Sequence, residues 1–88
     1  MKETKHWAVQ VSLDETPDKT EAEAILDVDG RRLAGWGRAR KSPSDPNVVE
    51  IGDELATARA LGDLAHKLLE EAATAIESFE GHEVHVHA

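Results

Sequence analysis

The sequence contains no cysteine, no tyrosine and only three other aromatic residues, two tryptophans and one phenylalanine, among 88 residues. Without cysteine the chain can form neither a disulfide framework nor a thiolate metal site, and it has no thiol nucleophile. No apolar run approaches the roughly 18 residues that a membrane-spanning helix needs, and the first six residues are too polar for a signal peptide. We therefore expect one cytoplasmic domain over residues 1–88 with no membrane association.

Large aliphatic side chains are also scarce. Hydrophobic residues make up 40% of the chain, and alanine supplies much of that share. A chain of this length buries only about 60–65% of its unfolded surface, and each alanine contributes little buried area. The sequence therefore predicts a thin core, which a partner subunit would stabilise.

The net charge of −8 is unevenly distributed. Residues 1–44 hold eight acidic and eight basic residues, whereas residues 45–88 hold ten acidic and two basic residues, a difference of −8. An acidic surface repels phosphate backbones and anionic lipids. The simplest interpretation of the acidic half is a solvated face that keeps the protein soluble.

Three segments in the first half alternate apolar and polar residues with a period of two, which predicts strands over residues 6–13, 20–28 and 31–41. The segment from Asp14 to Lys19 contains Pro17 and predicts a turn. Asp29 and Gly30 form the strongest short hairpin signal in the chain, because a tight turn needs positive φ at both positions. Short connections join antiparallel neighbours, so we expect a three-stranded antiparallel meander.

The second half predicts one long amphipathic helix, from about Gly52 to Phe79, with an N-terminal cap at or near Asp53 and a C-terminal cap at Gly81. Val48, Val49 and Ile51 are expected to close the end of the core. Residues 80–88 form a tail whose valines alternate with histidines, as in a short edge strand. The predicted fold is therefore α+β, with the order β-β-β-α and the helix packed on one face of the sheet. The apolar stripe of this helix contains Leu55, Ala58, Leu61, Leu64, Ala65, Leu68, Leu69, Ala72, Ala75, Ile76 and Phe79, and its first part is expected to face the sheet.

This helix is too long for the predicted sheet. About 27 helical residues span roughly 40 Å, whereas strands of eight or nine residues span only about 26–30 Å. The apolar stripe continues to the helix end, so about three turns project beyond the sheet with an apolar face that must be covered. The tail could cover part of it, but a second copy of the chain is the simpler cover, which predicts a homodimer.

The third predicted strand carries the most distinctive local sequence. Gly35 and Gly37 share the face turned to the helix and permit a close approach of backbones. Trp36 lies on the opposite face, between basic residues, where it could contact a partner protein or stack on a nucleic-acid base. The leading hypothesis is a protein–protein interaction or self-assembling module, and the alternative is nucleic-acid binding through this strand. The candidate interaction surface comprises Ile25, Arg32, Trp36, Arg38, Arg40 and Lys41.

No set of residues predicts catalysis, so we expect a protein that is not an enzyme and needs no cofactor. Adjacent acids such as Glu70 and Glu71 diverge by about 100° on a helix and cannot share a proton. His85 and His87 lie on one side of the tail with His82 nearby, and imidazoles in that arrangement could hold zinc or nickel. A terminal tail without a further fixed ligand makes a poor metal site, so no metal is predicted.

Two family resemblances follow from these motifs. The segment Gly35-x-Gly37-Arg38-Ala39-Arg40-Lys41, followed by an alanine-rich helix, resembles the double-stranded RNA-binding domain without its first helix. A longer segment, Glu50-Ile51-Gly52-Asp53-Glu54-Leu55-Ala56-Thr57-Ala58-Arg59-Ala60-Leu61, together with Trp7 and the Gly35-x-Gly37 strand, resembles an actinobacterial family of small uncharacterised proteins. That second resemblance implies an RNA-binding-domain-like fold and a bacterial cytoplasmic setting, and it implies no activity.

Overall fold

A computed structural model describes residues 2–41 and 49–80, the side chains of residues 49, 50 and 80 excepted. Its elements are β1 (Val9–Glu15), β2 (Lys19–Val28), β3 (Arg31–Arg40) and the helix α1 (Val49–Glu80). The strands form one antiparallel sheet in the order β1-β2-β3, and α1 packs on one of its faces. This architecture confirms the predicted α+β fold. The expected C-terminal edge strand and the cap at Gly81 lie outside the described residues.

Two tight turns connect the strands. Asp29 and Gly30 adopt φ angles of 50° and 74°, the positive values that the β2–β3 hairpin requires. In the β1–β2 turn, the backbone N–H of Thr16 donates to the carbonyl oxygen of Lys19 at 2.9 Å, and the Thr16 hydroxyl accepts from the N–H of Lys19 at 3.2 Å. Because this turn is so short, β1 continues to Glu15 rather than ending at the predicted residue 13, and its pairing with β2 begins at Val9 opposite Leu26 rather than at residue 6.

Two glycines on β3 determine how closely the helix approaches the sheet. A Cβ atom at Gly35 would lie 2.3 Å from the carbonyl oxygen of Ala60, and one at Gly37 would lie 2.2 Å from the carbonyl oxygen of Ala56. No real side chain tolerates such distances, so the helix rests directly on the strand backbone. The predicted role of these glycines in close packing is therefore confirmed. The buried core comprises Ala22, Ala24, Leu26, Val28, Ala39, Ala56, Ala60 and Leu64.

The face of α1 that packs on the sheet differs from the predicted stripe. The buried positions are Ala56, Ala60 and Leu64, with Leu68 partly buried against them, and they recur every four residues. Only small side chains fit over the glycines of β3, which is why alanines face the sheet. Leu55 is 44% exposed, so the prediction that it faces the sheet was wrong.

The start of the helix also differs from the prediction. The helix begins at Val49, so Asp53 lies in its second turn and is not the cap. Ile51 is 56% exposed on the helix surface and does not close the end of the core. Val48, which was expected beside it, lies outside the described residues.

The helix leaves one side of the sheet uncovered. It lies over β3 and β2 and barely touches β1. Three strands are about 14 Å wide at about 4.8 Å each, whereas one helix is about 10 Å across. As a result Val9 and Leu13, which point to the helix side, are each 42% exposed, and Trp7 is 60% exposed. The half-buried strand predicted here therefore keeps a largely open apolar side.

Three side chains of α1 reach the outer edge of β3 and bind backbone groups there. They follow each other at four-residue intervals, about 6.0 Å along the helix, and their backbone partners follow at two-residue intervals, about 6.8 Å along the strand. The two spacings match closely enough for all three hydrogen bonds to form together. Arg59 donates to the carbonyl oxygen of Arg38 at 2.6 Å, Asp63 accepts from the N–H of Trp36 at 2.9 Å, and Lys67 donates to the carbonyl oxygen of Ala34 at 2.6 Å.

The helix extends well beyond the sheet, as predicted. Its 32 residues span about 48 Å, whereas the ten-residue strands β2 and β3 span about 33 Å. Phe79 lies on the projecting part with almost its whole side chain in solvent.

Candidate interaction surface

The face of the sheet opposite the helix gathers most of the predicted surface. Trp36 lies in the middle of β3, directly opposite Glu23 of β2, and its side chain is 56% exposed. Ile25 is paired with Ala34 one step along the sheet. Alternation along each strand places these side chains on the outer face, because their neighbours in sequence pack against the helix. Ile25, Arg32, Trp36, Arg38 and Arg40 share this outer face.

Lys41 lies at one end of the sheet, beside Arg40 and away from Trp36. It follows the end of β3, is partly buried, and its backbone N–H donates to the carbonyl oxygen of Asp18 at 2.8 Å. With Asp18, Lys19 and Arg40 it lines a shallow depression of about 310 Å³ at one end of the sheet. The basic residues of β3 are thus spread along the sheet and do not form one cluster.

Acidic side chains of β2 stand opposite the basic side chains of β3. Arg32 donates to Asp27 at 2.8 Å, and this hydrogen bond lowers the pKa of the Asp27 carboxyl. Glu21 faces Arg38 across the strands, and its pKa is lowered first by the hydrogen bond from Lys19 at 2.8 Å and then by the charges of Lys19 and Arg38. The outer face is therefore a mixture of opposite charges and not a basic patch.

The backbone of Trp36 is fixed by the helix on the far side of the strand. Its N–H donates to the Oδ2 atom of Asp63, and this bond lowers the pKa of the Asp63 carboxyl, with a further contribution from Lys67 at 3.3 Å. The predicted i, i+4 pair of Asp63 and Lys67 is confirmed, but its attachment to the strand edge was not foreseen. The four-residue spacing of Arg59, Asp63 and Lys67, which places them along one side of the helix, was the feature of the sequence from which this attachment could have been inferred.

The rest of the described chain offers no alternative site of recognisable chemistry. Over residues 2–41 and 49–80, no three histidine, cysteine, aspartate or glutamate side chains are placed to hold a metal ion. His82, His85 and His87 lie outside those ranges. The described part of α1 is too polar to cross a membrane, and it is the one helix found there.

These features define a small α+β protein in which a long helix rests on two glycines of a three-stranded meander, beneath a mixed-charge face centred on a tryptophan. The sequence model of the Rv2632c-like family matches residues 5–85, and the chain belongs to this family. The predicted membership of an actinobacterial family of uncharacterised proteins is thereby confirmed.

Relatives and a solved structure agree with this assignment. The uncharacterized protein Mb1767 of Mycobacterium bovis is 46% identical over 74 residues, which cover 84% of this chain and 79% of the relative. The uncharacterized protein Rv2632c of Mycobacterium tuberculosis is 44% identical over 74 residues, which cover 84% and 80% respectively. The crystal structure of Rv2632c superimposes with a TM-score of 0.82 at 42% identity, covering 88% of this chain and 92% of that one. The resemblance to the double-stranded RNA-binding domain stays a prediction.

Proposed function

We propose that this protein is a non-enzymatic interaction module that binds a partner protein through the outer sheet face around Trp36 and that associates with itself. The main support is Trp36, a large aromatic side chain more than half exposed in the middle of a paired strand. Tryptophan is enriched among the residues that dominate binding energy at protein interfaces. Charges of both signs surround it, which suits a polar rim around an apolar centre.

The rigid support of Trp36 strengthens this proposal. Its strand is hydrogen-bonded to β2 on one side and to Asp63 on the other. A side chain on a fixed backbone loses little conformational entropy when a partner binds, so more of its contact energy appears as affinity.

Nucleic-acid binding is the second candidate, and one observation favours it. Lys19, Arg40 and Lys41 line the same depression at the end of the sheet. Two observations weigh against it, since Lys19 is paired with Glu21 and the chain carries a net charge of −8. Phosphate backbones are bound mainly by unpaired cations, so a protein partner is the better supported proposal.

Affinity capture from a mycobacterial lysate tests the protein-binding role. The immobilised wild-type chain is compared with Trp36→Ala and with Trp7→Ala. The second variant is a matched control, because it removes the other exposed tryptophan, which precedes β1 at the edge of the sheet opposite β3. We expect a partner that the wild type and Trp7→Ala retain and that Trp36→Ala loses by about tenfold or more, as for an interface hot spot. Equal capture by all three proteins would contradict the assignment of the surface.

Filter binding to duplex RNA, duplex DNA and single strands tests the second candidate. We expect no salt-sensitive binding: none of these nucleic acids should bind at low salt and then be released as the salt concentration rises. Binding with a strong salt dependence that is lost in Arg40→Ala would instead support a nucleic-acid role.

Self-association is supported by the apolar surface that the monomer leaves uncovered. Trp7, Val9 and Leu13 form an open strip on the helix side of β1, and Phe79 lies on the projecting end of the helix. Large exposed apolar surfaces commonly mark contacts with other proteins. Sedimentation velocity at micromolar concentration is expected to give about twice the chain mass of 9.6 kDa.

A further inference from the structure

The face of α1 that points away from the sheet carries a second apolar pattern, which the core does not use. Its positions are separated alternately by four and three residues over almost four heptads. A strict 3.5-residue period is the pattern of a helix that packs along another helix. This outer stripe comprises Ile51, Leu55, Ala58, Gly62, Ala65, Leu69, Ala72 and Ile76.

Solvent reaches the outer stripe along much of its length. Ile51 is 56% exposed and Leu55 is 44% exposed, and the small residues in the middle of the stripe are exposed as well. A Cβ atom at Gly62 would meet nothing within 4 Å. Further along the helix Leu69 and Ile76 are half-buried, and Ala72 borders a groove with Trp7 and Arg31, so the stripe is most open to a partner from Ile51 to Ala65.

Carboxylates are absent from this stripe although the helix is rich in them. Asp63 binds the edge of β3, and Glu71 pairs with Arg31 of the sheet. Glu70 pairs with His66 at 2.7 Å, about 100° around the helix from the stripe. The stripe positions themselves carry no charged side chain, and the exposed Glu54 borders the stripe beside Ala58. A second acidic copy would therefore meet few like charges along the contact.

The sizes of the side chains along the outer stripe indicate which partner packs on it. Consider an antiparallel pair of these helices whose centre lies between Gly62 and Ala65. Each stripe residue of one copy then contacts the residue of the other copy for which the two residue numbers add up to 127. Leu55 then meets Ala72, and Ala58 meets Leu69. We infer that two copies of the chain pack antiparallel through this stripe.

This reversed pairing fits the shape of two crossing helices. At the centre, Gly62 meets Ala65, which allows the backbones to approach closely. At both ends Ile51 meets Ile76, where crossing helices diverge and leave more room. A two-fold axis requires that residue i contacts j while j contacts i, and the constant sum satisfies that requirement.

A parallel pair fits badly. Each residue would then meet its own copy, so Leu55 would face Leu55 and Gly62 would face Gly62. Layers of two leucines would hold the helices apart, and layers of two small residues would leave cavities between them.

The size of the contact sets the expected strength. The stripe is about 40 Å long and one helix is about 10 Å wide, so two copies bury on the order of 800 Å² in projection. The relief of the side chains raises this toward the 1,200 Å² at which stable interfaces begin. A dimer with a micromolar dissociation constant is expected, and the inference rests on the self-association part of the proposed function and not on the Trp36 surface.

Cysteine cross-linking tests the orientation directly, because the chain has no cysteine of its own. Ala58→Cys and Leu69→Cys are prepared separately, oxidised alone and oxidised as a mixture. In the antiparallel dimer two copies of residue 58 lie about 16 Å apart along the axis, too far for a disulfide, whereas residues 58 and 69 meet. A cross-linked species that forms efficiently only in the mixture is expected, and efficient cross-linking of either protein alone would overturn the antiparallel arrangement.

A charge in the stripe tests whether this face holds the dimer. Ala65→Glu places a carboxylate at the centre of the contact, and Thr74→Glu adds the same charge to the same helix away from the stripe. Like charges in a desolvated contact are costly, so Ala65→Glu is expected to raise the dissociation constant about 100-fold or more, with Thr74→Glu close to the wild type. Circular dichroism of each variant verifies that the helix is retained.

The outcomes separate this inference from the proposed function. If the wild-type chain still sediments with a mass of 9.6 kDa at a protein concentration 100 times the expected dissociation constant, self-association is refuted altogether. A dimer that survives Ala65→Glu would show that another surface holds it, which overturns the stripe alone. Neither result affects the capture experiment with Trp36→Ala.

Discussion

Replacing Gly35 by alanine is expected to be one of the most damaging single-methyl changes in this protein. A Cβ atom at this position would lie 2.3 Å from the oxygen of Ala60, 2.4 Å from the nitrogen of Leu64 and 2.9 Å from its Cα. All three are backbone atoms of the helix, so no side-chain rotation relieves the contact. The helix must retreat by about 1 Å to restore a normal separation of about 3.5 Å.

The free-energy cost follows from what this retreat separates. Ala56, Ala60 and Leu64 are the three helix residues among the eight of the buried core, and all three lose contact with the sheet when the helix moves. Overpacking a close contact costs about 1–3 kcal/mol, and the involvement of backbone places Gly35→Ala near the upper end. A loss of about 3 kcal/mol corresponds to a fall in Tm of about 12–24 °C for a domain of this size.

Urea unfolding followed by tryptophan fluorescence measures this loss. The protein concentration is kept well below the expected micromolar dissociation constant, so that the monomer is measured and Gly62 makes no dimer contact. The matched control is Gly62→Ala, where the added methyl group meets open space on the same helix. Alanine favours a helix over glycine by about 1 kcal/mol, so the control is expected to gain stability while Gly35→Ala loses it. A change in the free energy of unfolding below about 1 kcal/mol for Gly35→Ala would refute the direct packing of the helix on the backbone of β3.

Two further predictions concern buried and charged groups. The hydroxyl of Thr20 is fully buried and has no hydrogen-bond partner among the described residues. Thr20→Val is therefore expected to raise the free energy of unfolding by about 1 kcal/mol, and a loss in the same urea assay would reveal an unseen partner. Asp63 has its pKa lowered in the folded state, so its charged form adds stability above its ordinary pKa of 3.8 that disappears as the pH falls through the lower folded value. In a pH series of unfolding midpoints, the advantage of the wild type over Asp63→Asn should shrink between about pH 5 and pH 3, and a constant difference would contradict this linkage.

The strands and their order could be predicted from local patterns in the sequence. Period-two alternation identified the faces of β2 and β3, and Asp29 with Gly30 located the hairpin turn, because positive φ angles restrict the residues that can occupy it. The outer-face positions of Trp36 and Ile25 followed from the same alternation. The bounds of β1 could not be predicted in this way, because the pairing register and the length of a turn depend on both strands at once.

The orientation of the helix was not predictable from hydrophobicity alone. The helix has two apolar faces, and the larger residues form the one that does not touch the sheet. Hydrophobic periodicity ranks faces by side-chain size, whereas the glycines of β3 select the face with the smallest side chains. The correct orientation required combining Gly35 and Gly37 with Ala56 and Ala60, two patterns that lie more than 15 residues apart in sequence.

The three side chains that α1 extends to β3 have a consequence for aggregation. An edge strand with free backbone groups is a template on which other chains can add strands, and natural proteins block such edges. Here Arg59, Asp63 and Lys67 occupy three of those groups in the middle of the strand, so another chain can pair along this part of the edge only after these hydrogen bonds have broken. Growth of the sheet past β3 is thus coupled to the packing of the core, because the helix that blocks the edge also supplies three of the eight buried core residues. The folded protein can thereby keep a ten-residue edge strand whose central backbone groups are not available to another chain.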